Sequence, residues 1–490
     1  MHQAHDPYHY SCGRWLRDDT ARRQARHMKF NFQLLCDRVV KLSPGATAVK
    51  SWHKKEGGFN RVFIMDLDSG ARLVARVPYP DVGLPQTLST ASEVATIAYL
   101  QQHTSVPIPK VVEWNTDPRN DVGCEYIIME EARGVLLSHK WNGMTTPQRV
   151  SCMDSIFQNM KQLHDLNFPG YGSVHSDNIS SLELTKLGLE TGFYLSQHCG
   201  TRYWDGGSRT CTSLNRGPWK DMCGFSDSLV DVGIARIPTG LSSELRRPYQ
   251  GRTGEHAKLL AIGRSILRQL SSSSIIQKAS TPLLYHPDLH TRNIFVSEHD
   301  PTVVTDIIDW QGASVEPAFW YADEIPDFAT SNDEICAQTF AVCSSFLLPK
   351  LALPKQMNEN LFRPYRYCYR TWKDGIPAFR HELAETLKHW TDLELEVDPP
   401  DVPSDVICED QKAYNMFVTA QTLKKDLADL LGCETDGWVR AEAYDQTEKA
   451  HGELFRGMLQ AVLQADAHDP SETVNDEETL RAIWPFDLEI

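Results

Sequence analysis

Alternation of apolar and polar positions is the first regular feature of the chain. Residues 61–67 and 73–77 alternate at the two-residue period of half-buried strands, and Asp68, Ser69 and Gly70 between them supply the chemistry of a tight hairpin turn. Ahead of the first run stands Glu56-Gly-Gly-Phe-Asn60, so a glycine turn leads into the two strands. From Thr90 the period lengthens: Val94, Ile97 and Ala98 recur at helical spacing until Val106, Pro107, Ile108 and Pro109 break the pattern. Strand-like runs at 110–114 and 125–129 follow, and Gly134 closes the second. Hairpin, helix and two strands predict a small α+β lobe over residues 46–135.

Beyond that lobe the pattern is mostly helical. Residues 145–163 carry Ile156, Met160 and Leu163 on one face with Pro147 in the first turn, and a second helix over 257–270 runs into Ser271–Ser274. Between them, residues 196–225 are rich in Gly, Arg, Ser and Trp without a period, which predicts an insertion loop where a substrate could be gripped. Two apolar runs, 282–296 and 303–310, carry acids inside strand-like sequence and complete the core of a larger lobe over 136–330. From about Asn332 the chain reads as helical, interrupted at Pro349, Pro354, Pro364, Pro377, Pro399 and Pro400, and residues 331–490 are expected to finish the larger lobe. There is no internal repeat.

Composition narrows the class. With 490 residues, 41% hydrophobic and 23% charged, the chain has the make-up of an ordinary soluble globular protein. The 49 Lys+Arg against 65 Asp+Glu leave a formal charge of −16, which speaks against a partner of the nucleic-acid kind. The acidity is not uniform: residues 391–490 hold 24 Asp+Glu against 7 Lys+Arg, so residues 1–390 are close to neutral. Most of those acids are expected on solvated helix faces and in a loose tail around residues 471–479, with some free to line an acceptor pocket and favour a cationic acceptor. None of the twelve Cys pairs at two-residue spacing, and Cys199, Cys211 and Cys223 lack His partners at ligand spacing, so no metal is implied there.

No apolar stretch approaches a membrane span and no apolar signal core follows Met1, so an intracellular, reduced protein is expected. Residues 1–45 form an N-terminal extension in which Arg14, Arg17, Arg22, Arg23 and Arg26 faintly resemble a mitochondrial presequence. Asp18 and Asp19 interrupt it and favour instead a solvated helix packed on the first lobe. Mitochondrial and cytoplasmic locations both stay open, and oligomeric state is not legible.

Candidate chemistry concentrates between residues 286 and 310. Asp288 is a charged group in apolar sequence, and Asn293, five residues on, can turn toward the same point from a tight loop. Asp309 ends the run Asp306-Ile-Ile-Asp-Trp310, where a carboxylate at a strand end can complete a Mg²⁺ site on phosphate oxygens. A glycine turn, a base-like Asp and an Asn–Asp metal pair, in that order, form the layout kinases use for phosphoryl transfer.

These stretches resemble the aminoglycoside phosphotransferase and choline kinase-like branch of the protein-kinase fold. His286-Pro-Asp-Leu-His290 with Asn293, and Ile308-Asp-Trp310, are similar to that family's catalytic and metal-binding segments, and residues 125–134 to its last small-lobe strand and hinge. Residues 57–63, 75–80 and 90–95 are nearer still to a fungal subgroup of the altered-inheritance-of-mitochondria type. The resemblance implies a bilobal α+β fold and an ATP- and Mg²⁺-dependent phosphotransferase acting on a hydroxyl of a small molecule. It implies Asp288 as catalytic base, with Asn293 beside it, and Asn293 and Asp309 as metal ligands. Gly57, Gly58 and Asn60 would lie along the phosphates, the main chain of Glu130 and Ala132 would meet the adenine, and Glu93 would orient a cation. That cation is Arg76 where the family has lysine, and the two are not interchangeable. A nucleotide-binding, non-catalytic protein of mitochondrial maintenance is therefore the alternative. Local readings compete as well: Glu93 with Thr90 fits a helix capping box, His286 a structural brace, Asp306 a strand-edge acid, and Trp204 and Trp219 packing residues.

Overall fold

The hairpin expected around Gly70 forms the middle of the first sheet. In this computed structural model, which describes residues 6–80, 82–83, 85–178, 185–189, 192–238, 247–330, 333–403, 407–408, 410–464 and 473–488, the chain opens with strand β1 (Gly13–Trp15) and helices α1 (Asp19–Gln24) and α2 (Phe32–Lys41). There follow β2 (Val49–Glu56), β3 (Asn60–Leu67), β4 (Arg72–Pro78), α3 (Leu88–His103), β5 (Val111–Asn115) and β6 (Tyr126–Glu130). Strands β2 to β6 make one antiparallel sheet in the order β2-β3-β4-β6-β5. Gly70 turns the hairpin at φ +86°, a conformation side chains resist, and Leu67 N–H closes it on the Ala71 carbonyl at 2.9 Å. The alternation in β3 sends Phe63, Met65 and Leu67 into the lobe's core, while Val62 and Ile64 face the cleft.

Helix α3 starts two residues earlier than its pattern predicts. The capping box does not form: Thr90 lies inside the helix, and the buried Glu125 carboxylate caps it from outside, accepting from Thr87 N–H at 2.8 Å and Thr90 Oγ1 at 2.7 Å. Glu93 is thereby released toward β4.

The connector is β7 (Val135–Leu136), running into α4 (Leu137–Lys140) and the long α5 (Thr146–Asp165), whose capping box is Thr145 with Gln148. Gly134 must be glycine, because at φ +85° a Cβ would stand 2.1 Å from the Val296 carbonyl. After a small sheet of β8 (Ser173–Ser176), β9 (Leu187–Gly188) and β10 (Phe193–Ser196) come β11 (Pro282–Leu284), β12 (Ile294–Val296), β13 (Val304–Ile307) and β14 (Val315–Pro317). β7 pairs with β12, so the segment leaving the first lobe is a strand of the sheet that carries the candidate site. Ile97 and Leu100 of α3 join Ile156 and Phe157 of α5, Ile294 and Ile307 in one buried cluster spanning both lobes. Each such side chain contributes about 1.5–3 kcal/mol of burial.

Helices fill the rest, as expected, but the prolines act differently. Pro349, Pro364 and Pro377 occupy first turns, and Pro354 sits inside the helix Pro349–Gln356. Trp219 is buried, and Trp204 donates to the His198 carbonyl, so both are packing residues. The tail read around residues 471–479 lies partly outside the described residues. Among those described, no single helix is long and apolar enough to cross a membrane.

Residues 6–28 include the solvent-facing helix α1 and pack on the first lobe through Tyr10, Trp15 and Met28, as expected, and they also reach the far end of the chain. β1 pairs antiparallel with β15 (Trp438–Arg440), and Leu16 enters a cluster with Leu427, Tyr444, Phe455 and Trp484. The arginines read as presequence-like have partners: Arg14 and Arg23 on Asp19, Arg22 on Asp436, and Arg26 on the Gly58 carbonyl. The whole is a two-lobed α+β arrangement, a smaller lobe built on an antiparallel sheet and a larger, mostly helical one, as the sequence predicts.

Burial also sets a pH limit on this fold. His164 and His175 are enclosed, and desolvation holds their pKa down to about 3 and about 4. Unfolded histidine titrates near 6.5, so their contribution is complete above that pH and is lost as pH falls toward the folded values. Denaturant unfolding at pH 6.5 and pH 5 should show a loss of about 2 kcal/mol for each histidine, and His164→Leu should remove its share.

Candidate active site

Between the sheet of the first lobe and the β12–β13 hairpin lies a cavity of about 390 Å³. Val62, Ile64 and Val74 wall one side and Phe295 and Ile308 the other, which leaves an apolar slot between the lobes. Its polar end gathers Asn60, Arg76, Glu93, Asn293 and Asp309, five of the residues singled out in the sequence.

Arg76 organises that end. Its guanidinium forks: Nη1 bonds the Glu93 carboxylate, and Nη2 stands 3.2 Å from Asp309 Oδ1. Arg76 and Glu93 are both buried, whereas the Asp309 side chain is 43% exposed. Burial pushes the Glu93 carboxyl up to about 7, against the pull of Arg76. Asp309 holds a left-handed backbone, φ +68°, a strained conformation for a residue with a Cβ. Its neighbours fix it, since Ile308 N–H donates to the Asn293 carbonyl at 2.9 Å and the Ile308 carbonyl accepts from His286 Nε2 at 2.9 Å.

The loop from β11 to β12 carries Asp288 and Asn293. Asn293 Nδ2 donates to Asp288 twice, to the carboxylate at 2.7 Å and to the carbonyl at 2.8 Å. That leaves Oδ1 as the Asn293 atom not occupied by those bonds. Arg292 Nη2 grips both Asp288 oxygens, at 2.6 and 2.9 Å. His286 is buried, its Nδ1 accepts from Asp288 N–H at 3.1 Å, and desolvation lowers its pKa, so it is a neutral brace for the loop. His290 stands between Asp288 and Asp327, 3.5 and 3.4 Å from them. Burial raises the Asp327 pKa, but bonds from His290 and Thr291 outweigh it and hold the group at about 2. Asp306 is the strand-edge acid expected, buried and gripped by Arg133 at 3.0 Å from Nε.

The glycine turn lies over the cavity's edge. Gly57 lines it and Gly58 does not; the Gly58 carbonyl instead accepts from Arg26 at 3.1 Å. Neither takes a positive φ among the described residues, and a Cβ on Gly58 would meet nothing within 4 Å. Asn60 is buried between Gln311 and Arg76: one amide orientation donates to Gln311 Oε1 at 2.6 Å, and the other turns its oxygen to Arg76 Nη2 at 2.8 Å. Glu130 and Ala132 both line the cavity, with the Glu130 N–H already donated to the Lys110 carbonyl at 2.9 Å. Sequence reading missed Lys55 and His139, which also line it, together with Arg292 and Gln311. Their only sequence signal is position, Lys55 before the glycine turn and Gln311 two residues after Asp309. Among the described residues, no acid of 391–490 lines this cavity or the one beside Asp288.

No protein-family model matches the chain. It is 30% identical over 303 residues to a subtelomeric hrmA-associated cluster protein of Aspergillus fumigatus, covering 54% of this chain and 58% of that protein. The chain thus spans little more than half the length of that relative. It is 23% identical over 448 residues to the altered inheritance of mitochondria protein 9, mitochondrial, of Candida albicans, covering 77% of this chain and 69% of that one. The likeness to that fungal group read from residues 57–63, 75–80 and 90–95 is therefore borne out. Among solved structures, a putative aminoglycoside phosphotransferase of Ralstonia eutropha is similar at 13% identity, 79% coverage of this chain, 96% of that one and a TM-score of 0.40.

The Arg76–Glu93 pair gives a direct test. Glu93→Gln strands a buried guanidinium and should cost about 3 kcal/mol of stability, measured by urea unfolding. Adding Arg76→Met to Glu93→Gln should recover part of that loss; strictly additive costs would show that the two are not coupled.

Proposed function

We propose that the chain is an ATP- and Mg²⁺-dependent phosphotransferase that moves the γ-phosphate to a hydroxyl of a small molecule. The observation that carries this reading is the hydrogen-bonded run Asp288–Asn293 beside Asp309 and Arg76, at the polar end of an apolar interlobe cavity. The apolar slot is suited to a nucleotide base, with the main chain of Ala132 and Glu130 at its edge. Arg76 and the turn of Gly57, Gly58 and Asn60 lie where phosphates would extend, and exposed Lys55 adds a cation there. Nothing in the chain fills the space a Cβ on Gly58 would take, which suits close approach of a ligand to the backbone.

Asp288 would orient the acceptor hydroxyl and take its proton as the oxygen bonds phosphorus and the bond to the ADP oxygen breaks. Arg292 and Asn293 keep the Asp288 carboxylate aimed, and His286 keeps the loop in place. The donor set fits Mg²⁺: Asn293 spends its amide nitrogen on Asp288 and keeps an oxygen, and Asp309 adds a partly exposed carboxylate. Bound there, the ion would neutralise phosphate charge; Arg76, fixed by Glu93, supplies a permanent cation to the same end. The acceptor is a small molecule, and of the two locations left open, the mitochondrial one goes with the name of the Candida albicans relative.

One observation favours a second reading. Arg76, in place of lysine, already touches Asp309, which suits a nucleotide-binding protein without turnover in mitochondrial maintenance. Asp288→Ala should lower turnover about 10²- to 10⁴-fold while ATP still raises the melting temperature. ATP stabilisation with no turnover in either protein would establish the second reading and remove the first.

A further inference from the structure

Asp288 does not line the 390 Å³ cavity; it lines a second, of about 250 Å³, on the other side of its hydrogen bond to Asn293. That bond therefore separates the two chambers. The second chamber is small, below the roughly 300–1,000 Å³ of drug-sized sites, or about eight water-sized volumes. Phe157, Tyr285, Tyr321, Phe340, Leu348 and Leu351 give it ring-sized apolar faces, while about half of its exposed lining is polar. Two charges besides Asp288 reach it, Glu324 and Lys355.

Those charges are not equally answered. Burial pushes the Glu324 carboxyl up to about 7, with Arg366 and His290 pulling it down and Asp323 and Glu316 adding to the rise. Lys355 has no carboxylate within 4 Å among the described residues; its ammonium lies 4.1 Å over the Phe340 ring, and desolvation pushes its pKa down to about 8. A half-buried cation without a counter-ion is costly to hold, so the chamber has an uncompensated positive end. The alternative, that Lys355 merely faces the last carbonyls of the helix Pro349–Gln356, gives it no reason to line the cavity.

We propose that the acceptor is a compact hydroxyl compound with an apolar, single-ring-sized body and an anionic group, its hydroxyl at Asp288 and its anion at Lys355. This rests on the phosphotransfer reading above, and it opposes the cationic acceptor expected from the acidic C-terminal sequence, none of whose described acids lines this chamber.

Three probes of one shape test it with full-length protein and MgATP: 4-(hydroxymethyl)benzoate, the matching benzamide and the matching benzylamine. The carboxylate should show the lowest KM. Lys355→Met should raise its KM roughly 10- to 100-fold and leave the amide and the KM for ATP unchanged. Lys355→Arg should restore most of the difference, which a purely structural lysine would not require. Equal KM for all three, preference for the amine, no binding of any in thermal shift, or an unchanged KM in Lys355→Met would overturn the proposal. If Asp288-dependent ATP hydrolysis persists in those cases, the phosphotransfer reading stands without it. If ATP is neither hydrolysed nor transferred by wild type, both fall.

Discussion

The buried pair of Arg76 and Glu93 is the interaction on which the rest of the cleft depends. Two desolvated charges are stable only together, so the pair holds α3 against β4 in one register. The release of Glu93 from its own helix start makes this possible, and that release comes from Glu125, a residue 35 positions beyond Thr90, which supplies the cap instead. The second branch of the Arg76 fork then reaches across to Asp309, linking the two lobes through a single guanidinium. A lysine carries one point of charge and would make that link less directional.

Electrostatics across the whole chain fall into place around this cleft. The described acids of the last hundred residues do not line the polar end of the interlobe cavity, which lies in a nearly neutral body. Some of them meet the basic N-terminal segment instead: Arg22 bonds Asp436, and Arg14 approaches Asp445 while lying over the Tyr444 ring at 3.6 Å. The composition of each end is explained by the other.

Much of this was legible in the sequence, for identifiable reasons. Strands and turn in 56–77 could be read because alternation, Asp68 and Gly70 are local signals. The grouping of Asp288 with Asn293 was legible because five residues of loop bring them together. What was not legible depends on distant partners: the capping of α3 by Glu125, the bond of Asn60 to Gln311, 251 positions away, and the use of the N-terminal arginines. A presequence-like run and a structural arm share their arginines; Asp19 is the local sign of the arm, pairing with Arg14 and Arg23, and Asp436 the distant one. Proline gave the opposite lesson, since it marks a helix boundary without saying whether the helix ends or begins there.

The pairing of β1 with β15 sets an order on synthesis. Trp15 Nε1 finds its partner in Asp436, 421 positions later, and at ribosomal rates of about 5–20 residues per second that partner emerges some tens of seconds after it. Until then β1 has no strand to pair with and Leu16 has no cluster to enter, while Trp15 can already pack with Tyr10 and Met28 on the first lobe. One face of this segment can settle early and the other waits for a strand made much later, so one apolar side chain, Leu16, stays uncovered in between.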